Sequence, residues 1–110
     1  MWVDRRGVFH AIVHVDREDT HGLVYYSVDG KKWAPSAGGG NAYEHIMEYT
    51  DGSTIAFGCR ERPHIVQDRD GDIIGLTNGA SPVTCHSTQA PVRDLSYTLL
   101  QVVGQEQPAW

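Results

Sequence analysis

Three Asp-Gly dipeptides, spaced about 20 residues apart, constrain the fold of this chain more than any other feature of its sequence. They lie at Asp29-Gly30, Asp51-Gly52 and Asp70-Gly71, each followed within a few residues by a segment of alternating or apolar character. Glycine adopts positive φ without steric cost, so Asp-Gly is favoured in the tight turns that join antiparallel strands. The spacing predicts one hairpin per repeat, as in an up-and-down antiparallel meander.

Apolar and polar residues alternate between these turns, and the pattern predicts seven strands. The predicted strands cover residues 9–15, 23–28, 42–49, 54–59, 63–67, 73–77 and 97–103. Loops are expected over 35–41, where three consecutive glycines exclude a strand core, and over 78–92. No segment has the pattern of a helix of useful length. The predicted fold class is all-β, with antiparallel meander sheets.

Composition and charge narrow the class of protein. A length of 110 residues fits one domain, and a net charge of -5 argues against a nucleic-acid or anionic-membrane partner. No apolar run is long enough to span a bilayer. Residues 1–6 lack the apolar core of a signal peptide. We therefore expect a soluble chain without a signal peptide, and its compartment stays unassigned.

The chain has two cysteines, Cys59 and Cys85, and neither belongs to a Cys-x-x-Cys motif. They could form one disulfide. The favoured interpretation is that both are reduced thiols that pack as small apolar residues.

The string Ser27-x-Asp29-Gly30-x-x-Trp33 predicts a hairpin tip. The Asp29 carboxylate can accept hydrogen bonds from the turn amides, and Gly30 supplies the backbone freedom. Trp33 is expected to fold back onto its own sheet as a buried apolar plug.

A second string, Arg60-Glu61-Arg62-Pro63-His64, places one carboxylate between two guanidinium groups at the start of a strand. Two interpretations are open. Glu61 is either an ion-pair partner of the arginines or a catalytic acid. The flanking arginines favour an ionised carboxylate, whereas a general acid must carry a proton.

The two strings together resemble the five-bladed β-propeller glycosidases of glycoside hydrolase families 43 and 32. In that family a Ser-x-Asp-x-x-x-Trp string recurs in outer hairpins, and a Glu-x-Pro-His-like string carries the general acid near the central axis. The resemblance implies that Glu61 is the candidate general acid. It also implies that substrate-binding residues lie near the axis, namely His10, Arg60, Arg62 and His64.

The resemblance also implies a domain organisation of about two blades. It predicts a partial propeller over 1–104, with blade one about 8–59 and blade two about 62–103, followed by a loose tail over 105–110. Open blade faces and edges expose apolar surface, so the chain is expected to be a homo-oligomer.

The histidines do not predict a metal site by themselves. His10 and His14 share a strand face but lie roughly 13 Å apart by strand geometry, which is too far to share a metal ion. We therefore expect no cofactor and no metal ligands, and calcium enters only through the family resemblance.

Two functions follow from the carboxylates. Glycoside hydrolysis ordinarily uses two of them, and the Asp-Pro string that accompanies the acid in the family has no counterpart here. The favoured function is a non-catalytic fragment of a glycosidase-like propeller that binds carbohydrate or serves as a self-assembling scaffold. The alternative is a glycoside hydrolase that is active only when oligomerisation supplies the missing carboxylates, with Glu61 as its acid.

Overall fold

The computed structural model describes residues 1–15, 21–38, 41–83 and 97–104, and within these ranges the chain forms strands and no helix. The all-β prediction is therefore confirmed for this part of the chain. In chain order the strands are β1 Trp2–Val3, β2 Phe9–His14, β3 Gly22–Ser27, β4 Ala34–Pro35, β5 Ile46–Glu48, β6 Thr54–Ala56, β7 Cys59–Gln67, β8 Ile73–Ser81 and β9 Tyr97–Val102.

The described strands form three antiparallel sheets, in the orders β1-β2-β3-β4, β5-β6 and β7-β8-β9. The predicted strand over 42–49 is shortened to Ile46–Glu48. Its first part turns away, because Tyr43 makes an isolated bridge to Gly22 at the start of β3. The antiparallel prediction is confirmed, and the assignment of these sheets to propeller blades stays a prediction.

Three of the hairpins use the same turn. In residues 4–8 the amide of Asp4, the first residue, donates to the carbonyl of Val8, the fifth residue, at 2.9 Å. The amide of Gly7, the fourth residue, donates to the carbonyl of Asp4 at 2.9 Å. The corresponding distances are 2.8 and 2.9 Å in residues 49–53, and 2.9 and 3.1 Å in residues 68–72. The fourth residue is a glycine with φ of 81°, 83° and 85° in turn. Only glycine adopts this region freely, so the predicted turns at 51–52 and 70–71 are confirmed.

Two apolar clusters join the sheets. The larger one connects the four-stranded sheet to the three-stranded sheet, with β2 packed against β7. Its buried members are Trp2, Ile12, Val24, Tyr43, Ile65, Ile73 and Leu76. The smaller cluster, Phe57, Ala80 and Leu99, packs against Met47 and Ile55 of the β5-β6 pair. Burial of these side chains is the main contribution to the stability of the fold.

The predicted loop over 78–92 is wrong at its beginning, because β8 continues to Ser81. Asn78 and Ser81 are both 1% exposed, although their side chains are polar. The Asn78 side chain accepts a hydrogen bond from Arg60, so a residue typical of loops is stabilised inside a strand. Residues 84–92 and the tail over 105–110 lie outside the described residues.

The predicted hairpin tip between β3 and β4 is confirmed in its hydrogen bonds. The Asp29 Oδ1 atom accepts from the amides of Lys31 at 2.8 Å and Lys32 at 2.9 Å. The Ser27 hydroxyl accepts from the Gly30 amide at 2.9 Å, and Gly30 has a φ of 71°. The plug interpretation of Trp33 is wrong, because its side chain is 38% exposed and it joins neither apolar cluster.

The reduced-thiol interpretation is wrong for Cys59. This residue begins β7, is 1% exposed and is disulfide-bonded. Cys85, the other cysteine of the chain, lies outside the described residues.

Candidate functional site

The carboxylate of Asp4 organises a cluster of polar side chains at the β1–β2 turn. Its Oδ1 atom accepts from the backbone amides of Arg6 at 2.8 Å and Val8 at 3.1 Å. Its Oδ2 atom accepts from the Arg6 guanidinium, at 3.1 Å from Nε and 2.7 Å from Nη2. The same oxygen lies 3.1 Å from His10 Nε2. One carboxylate therefore joins the turn backbone, an arginine and a histidine.

These contacts keep Asp4 ionised. Burial by itself raises the pKa of Asp4, but the hydrogen bonds from the Arg6 and His10 side chains and from the turn amides outweigh it. The pKa of this carboxyl is consequently well below its usual range. An ionised carboxylate only accepts hydrogen bonds, so the Nε2–H group of His10 is the donor in its hydrogen bond to Asp4.

The β7–β8 turn provides an internal comparison, because Asp68 holds the position there that Asp4 holds in residues 4–8. Asp68 Oδ1 accepts from the amides of Asp70 at 2.9 Å and Asp72 at 3.0 Å, which matches the pattern at Asp4. Within the described residues, no side chain hydrogen-bonds the Asp68 carboxylate. The amide bonds alone thus suffice to build the turn, and the Arg6 and His10 contacts at Asp4 are additional.

His10 is held tightly on β2. Its ring stacks on Trp2, with centroids 5.0 Å apart and an interplanar angle of 15°, and the residue is 5% exposed. Its Nδ1 atom is buried and has no hydrogen-bond partner in the described part of the chain. An unsatisfied buried polar atom costs roughly 1–3 kcal/mol, so this nitrogen would gain from a ligand that supplies a partner.

A cleft of about 430 Å³ lies beside this cluster, between the β1–β2 turn and the start of the segment after β4. It is lined by Arg6, Val8, His10, Tyr26, Val28, Ser36 and Ala37. Ser36 Oγ is a second buried side-chain atom without a partner among the described residues. The Tyr26 side chain is 38% exposed, so part of its ring is available to a ligand. The residues that line the cleft thus include two with an unsatisfied polar atom and one aromatic residue.

A second cleft, of about 350 Å³, lies where the β1–β2 and β7–β8 turns meet, and it shares Arg6 with the first cleft. It is lined by Trp2, Asp4, Arg5, Arg6, Gly71, Asp72 and Ile73. A salt bridge of 2.6 Å between Arg5 Nη2 and Asp72 Oδ2 connects the two turns across it. We call the cleft beside Ser36 the serine cleft and this one the turn cleft.

Glu61, the predicted catalytic acid, lines neither of these clefts. Its side chain is 21% exposed, and Oε1 lies 3.6 Å from Nε of Arg62, whose side chain is 83% exposed. Arg62 has a φ of 50° at a break in the strand register between Glu61 and His64. The structure thus brings only one of the two flanking arginines to Glu61.

Arg60 points to the opposite side of β7, as alternation along a strand requires. It is 1% exposed and donates to Glu44 O at 2.6 Å, Asn78 Oδ1 at 2.8 Å and Gln101 Oε1 at 3.3 Å. Its guanidinium lies 4.7 Å from the centroid of the Tyr43 ring. Burial lowers the pKa of Arg60, with an opposing effect of Tyr43, but arginine stays charged in proteins. Both terminal nitrogens of this guanidinium are therefore bonded within the protein, whereas its Nε is buried without a partner among the described residues, and Arg60 lines neither of the clefts described above.

Of the five site residues predicted from the sequence, only His10 lines either cleft. His64 is exposed on β7, and the predicted roles of Glu61, Arg62 and His64 stay predictions. Sequence reasoning did not select Asp4, which was assigned to a turn, or Tyr26, whose type is more often core than sugar-stacking, and it missed Arg6 and Ser36. The sequence shows Asp4 in an Asp-x-x-Gly string directly before a predicted strand, which indicates a turn but not the contact with His10.

Within the described ranges, no three His, Cys, Asp or Glu side chains are grouped so that they could hold a metal ion. Nor do those ranges contain a helix long and apolar enough to cross a membrane.

Comparison with known proteins found no family model, no curated protein and no solved structure that matches this chain. Its function is therefore inferred from the geometry of the two clefts.

Proposed function

We propose that the chain is a non-catalytic carbohydrate-binding module whose binding site is the serine cleft. One observation carries the proposal: the serine cleft is lined by two residues, His10 and Ser36, that each have a buried polar atom without a partner. A sugar hydroxyl both donates and accepts hydrogen bonds, so a single ligand class satisfies the imidazole nitrogen and the serine hydroxyl.

The rest of the cleft suits the same ligand. The partly exposed Tyr26 ring offers an apolar surface against which the C–H face of a sugar can pack. A volume of about 430 Å³ is within the usual range of small-molecule sites. Neither unpartnered atom is open to water in the ligand-free cleft, so the proposed binding includes a small movement of the cleft side chains that lets a sugar hydroxyl reach them. Hydrogen bonds formed in such shielded surroundings are stronger than hydrogen bonds at the surface.

We also propose that the chain is related to the glycosidase-like propellers and that it forms a homo-oligomer. Support for the relationship comes from the antiparallel hairpins and from the Asp29-centred tip between β3 and β4. Support for self-association comes from β9, which lies at the end of its sheet's strand order and carries no charged residue. Leu100 and Val102 on this strand are 58% and 78% exposed. An apolar edge strand favours pairing with another chain.

The hydrolytic alternative, with Glu61 as general acid, has no specific observation in its favour. Glu61 lines neither cleft, and Arg62 is the charged group that contacts it.

The test is a titration of the protein with a panel of neutral mono- and oligosaccharides, in which the backbone amide chemical shifts are monitored by NMR. We expect Ser36→Ala to weaken binding about 10-fold through the loss of one buried hydrogen bond, without loss of stability. The matched control is Thr50→Ala, which removes an exposed hydroxyl outside both clefts. If no sugar shifts the resonances of the cleft residues, or if Ser36→Ala binds as the unmodified protein does, the proposal is wrong.

A further inference from the structure

We infer that the serine cleft and the turn cleft together bind a linear acidic oligosaccharide, whose carboxylate contacts Arg6 while neighbouring sugar rings occupy the clefts on either side. This inference rests on the proposed function and names its ligand class.

The position of Arg6 indicates that a ligand in both clefts would contact this residue. Among the described residues, Arg6 is the one that lines both clefts. Its side chain is 78% exposed, although Asp4 fixes its orientation through two guanidinium nitrogens. A ligand that passes from one cleft to the other must therefore run alongside this guanidinium.

Arg6 has guanidinium donors that are available for a carboxylate of the ligand. A guanidinium has five N–H donors, and the side-chain bonds of Arg6 within the described residues are the two to Asp4. The remaining donors form a planar edge that matches the geometry of a carboxylate. The fixed orientation reduces the conformational entropy that Arg6 would lose when it binds a ligand.

Neighbouring charges determine which ligand suits this edge. Arg5 and Arg6 each pair with one carboxylate, Asp72 and Asp4, so pairing alone does not distinguish them. Arg6 differs from Arg5 because it lines both clefts, whereas Arg5 lines the turn cleft alone. The net charge of -5 provides no long-range attraction for anions, so selectivity must come from direct contact at Arg6. Asp70 stands at the equivalent position of the β7–β8 turn, so a cation at the third turn position distinguishes the first turn from that one.

The two volumes determine the length of the ligand. The clefts measure about 430 and 350 Å³, and each is of the size that holds a small molecule. With Arg6 between them, a ligand that fills both must have more than one ring. An acidic monosaccharide would occupy one cleft and leave the other empty.

The experiment compares three probes by calorimetry: a trimer of galacturonic acid, a neutral trimer of galactose and the galacturonic acid monomer. We expect the acidic trimer to bind at least about 10-fold more tightly than either of the others, as a charge-assisted bond allows. Arg6→Gln should abolish the preference for the acidic trimer and retain the weaker binding of the neutral trimer. Its backbone amide still donates to Asp4, so the turn is preserved.

Arg69→Gln is the matched control, because Arg69 is an exposed arginine in the equivalent β7–β8 turn and lines neither cleft. Its affinity for all three probes should be unchanged. Equal binding of the acidic and neutral trimers, equal binding of monomer and trimer, or equal losses in both variants would overturn the inference and leave the proposed function intact. Binding of a tri-aspartate peptide as tightly as the acidic trimer would also overturn it. Absence of binding by every sugar would overturn both.

Discussion

Asp4 and Asp68 occupy the same position in two copies of one turn, and each accepts hydrogen bonds from the amides two and four residues later. Only Asp4 also holds the side chains of an arginine and a histidine. The turn therefore requires the contacts between the carboxylate and the amides, but not the contacts of Asp4 with Arg6 and His10. Those additional contacts join residues that line the two clefts.

The first prediction compares Asp4→Asn with Asp68→Asn. An asparagine oxygen still accepts from the turn amides in both variants. Asp4→Asn also loses the ionic contacts to Arg6 and His10, so it should lower the free energy of unfolding by about 1–3 kcal/mol. Asp68→Asn should cost about 0.5 kcal/mol or less, as for an ordinary surface change. Urea denaturation measures both values, and equal losses would show that the extra contacts at Asp4 contribute nothing.

The second prediction concerns pH. Because the folded-state pKa of Asp4 is lowered, its contribution to stability is fully present above the unfolded value of about 3.9 and is lost as the pH falls through the folded value. The pKa of Asp29 is also lowered, mainly by the amides of Lys32 and Lys31, and acts in the same direction. The free energy of unfolding should thus fall steadily below about pH 4. Denaturation of Asp4→Asn over the same range should give a flatter profile, and parallel profiles would contradict the assignment.

The third prediction concerns the buried guanidinium. Arg60→Ala removes the donors to Glu44 O and Asn78 Oδ1 and leaves a cavity beside Tyr43. It should cost about 3 kcal/mol or more. Arg62→Ala is the control, because that side chain is 83% exposed, and its effect should stay within about 0.5 kcal/mol. Thermal unfolding distinguishes the two, and similar melting temperatures would show that Arg60 is not a structural residue.

The fourth prediction compares two tryptophans. Trp2 is 8% exposed and stacked on His10, so Trp2→Ala should cost about 3–5 kcal/mol. Trp33 is 38% exposed, and Trp33→Ala should cost about 1–2 kcal/mol, because much less apolar surface returns to water. A larger loss at Trp33 than at Trp2 would restore the interpretation of Trp33 as a hairpin plug.

The fifth prediction separates the proposed function from the hydrolytic alternative. If Glu61 is only an ion-pair partner of Arg62, Glu61→Gln should change stability by less than about 1 kcal/mol and leave sugar binding unchanged. Assays with aryl arabinosides, xylosides, galactosides and fructosides should then detect no turnover. Turnover by the unmodified protein that falls about 100-fold or more in Glu61→Gln would identify Glu61 as a general acid.

The sequence was most informative about local structure. Gly52 and Gly71 have the positive φ that Asp-Gly predicts, and the Asp29 side chain caps its turn as expected. These features depend on interactions between residues close in the chain, and residue type largely determines such interactions. The antiparallel arrangement follows from them, because a tight turn returns the chain beside the strand that precedes it.

Features that depend on distant residues were harder to predict. Asn78 is typical of a loop, and its place inside β8 depends on Arg60, which lies 18 positions earlier. The serine cleft needs Ser36 from the segment after β4 beside His10 of β2, and no local pattern indicates that pairing. The exposure of Trp33 likewise depends on how the rest of the sheet packs, which the sequence of its own hairpin does not show.

The disulfide at Cys59 adds a dependence on the chemical surroundings. Cys59 is the first residue of β7, one position before Arg60, so the covalent bond is attached where the largest described strand pair begins. Loss of a native disulfide typically costs about 2–5 kcal/mol in a small domain. The oxidised and reduced chains are accordingly two different thermodynamic species. Measurements in dithiothreitol would describe the reduced chain. Every stability or affinity measured for this protein should therefore be given together with the oxidation state of its cysteines.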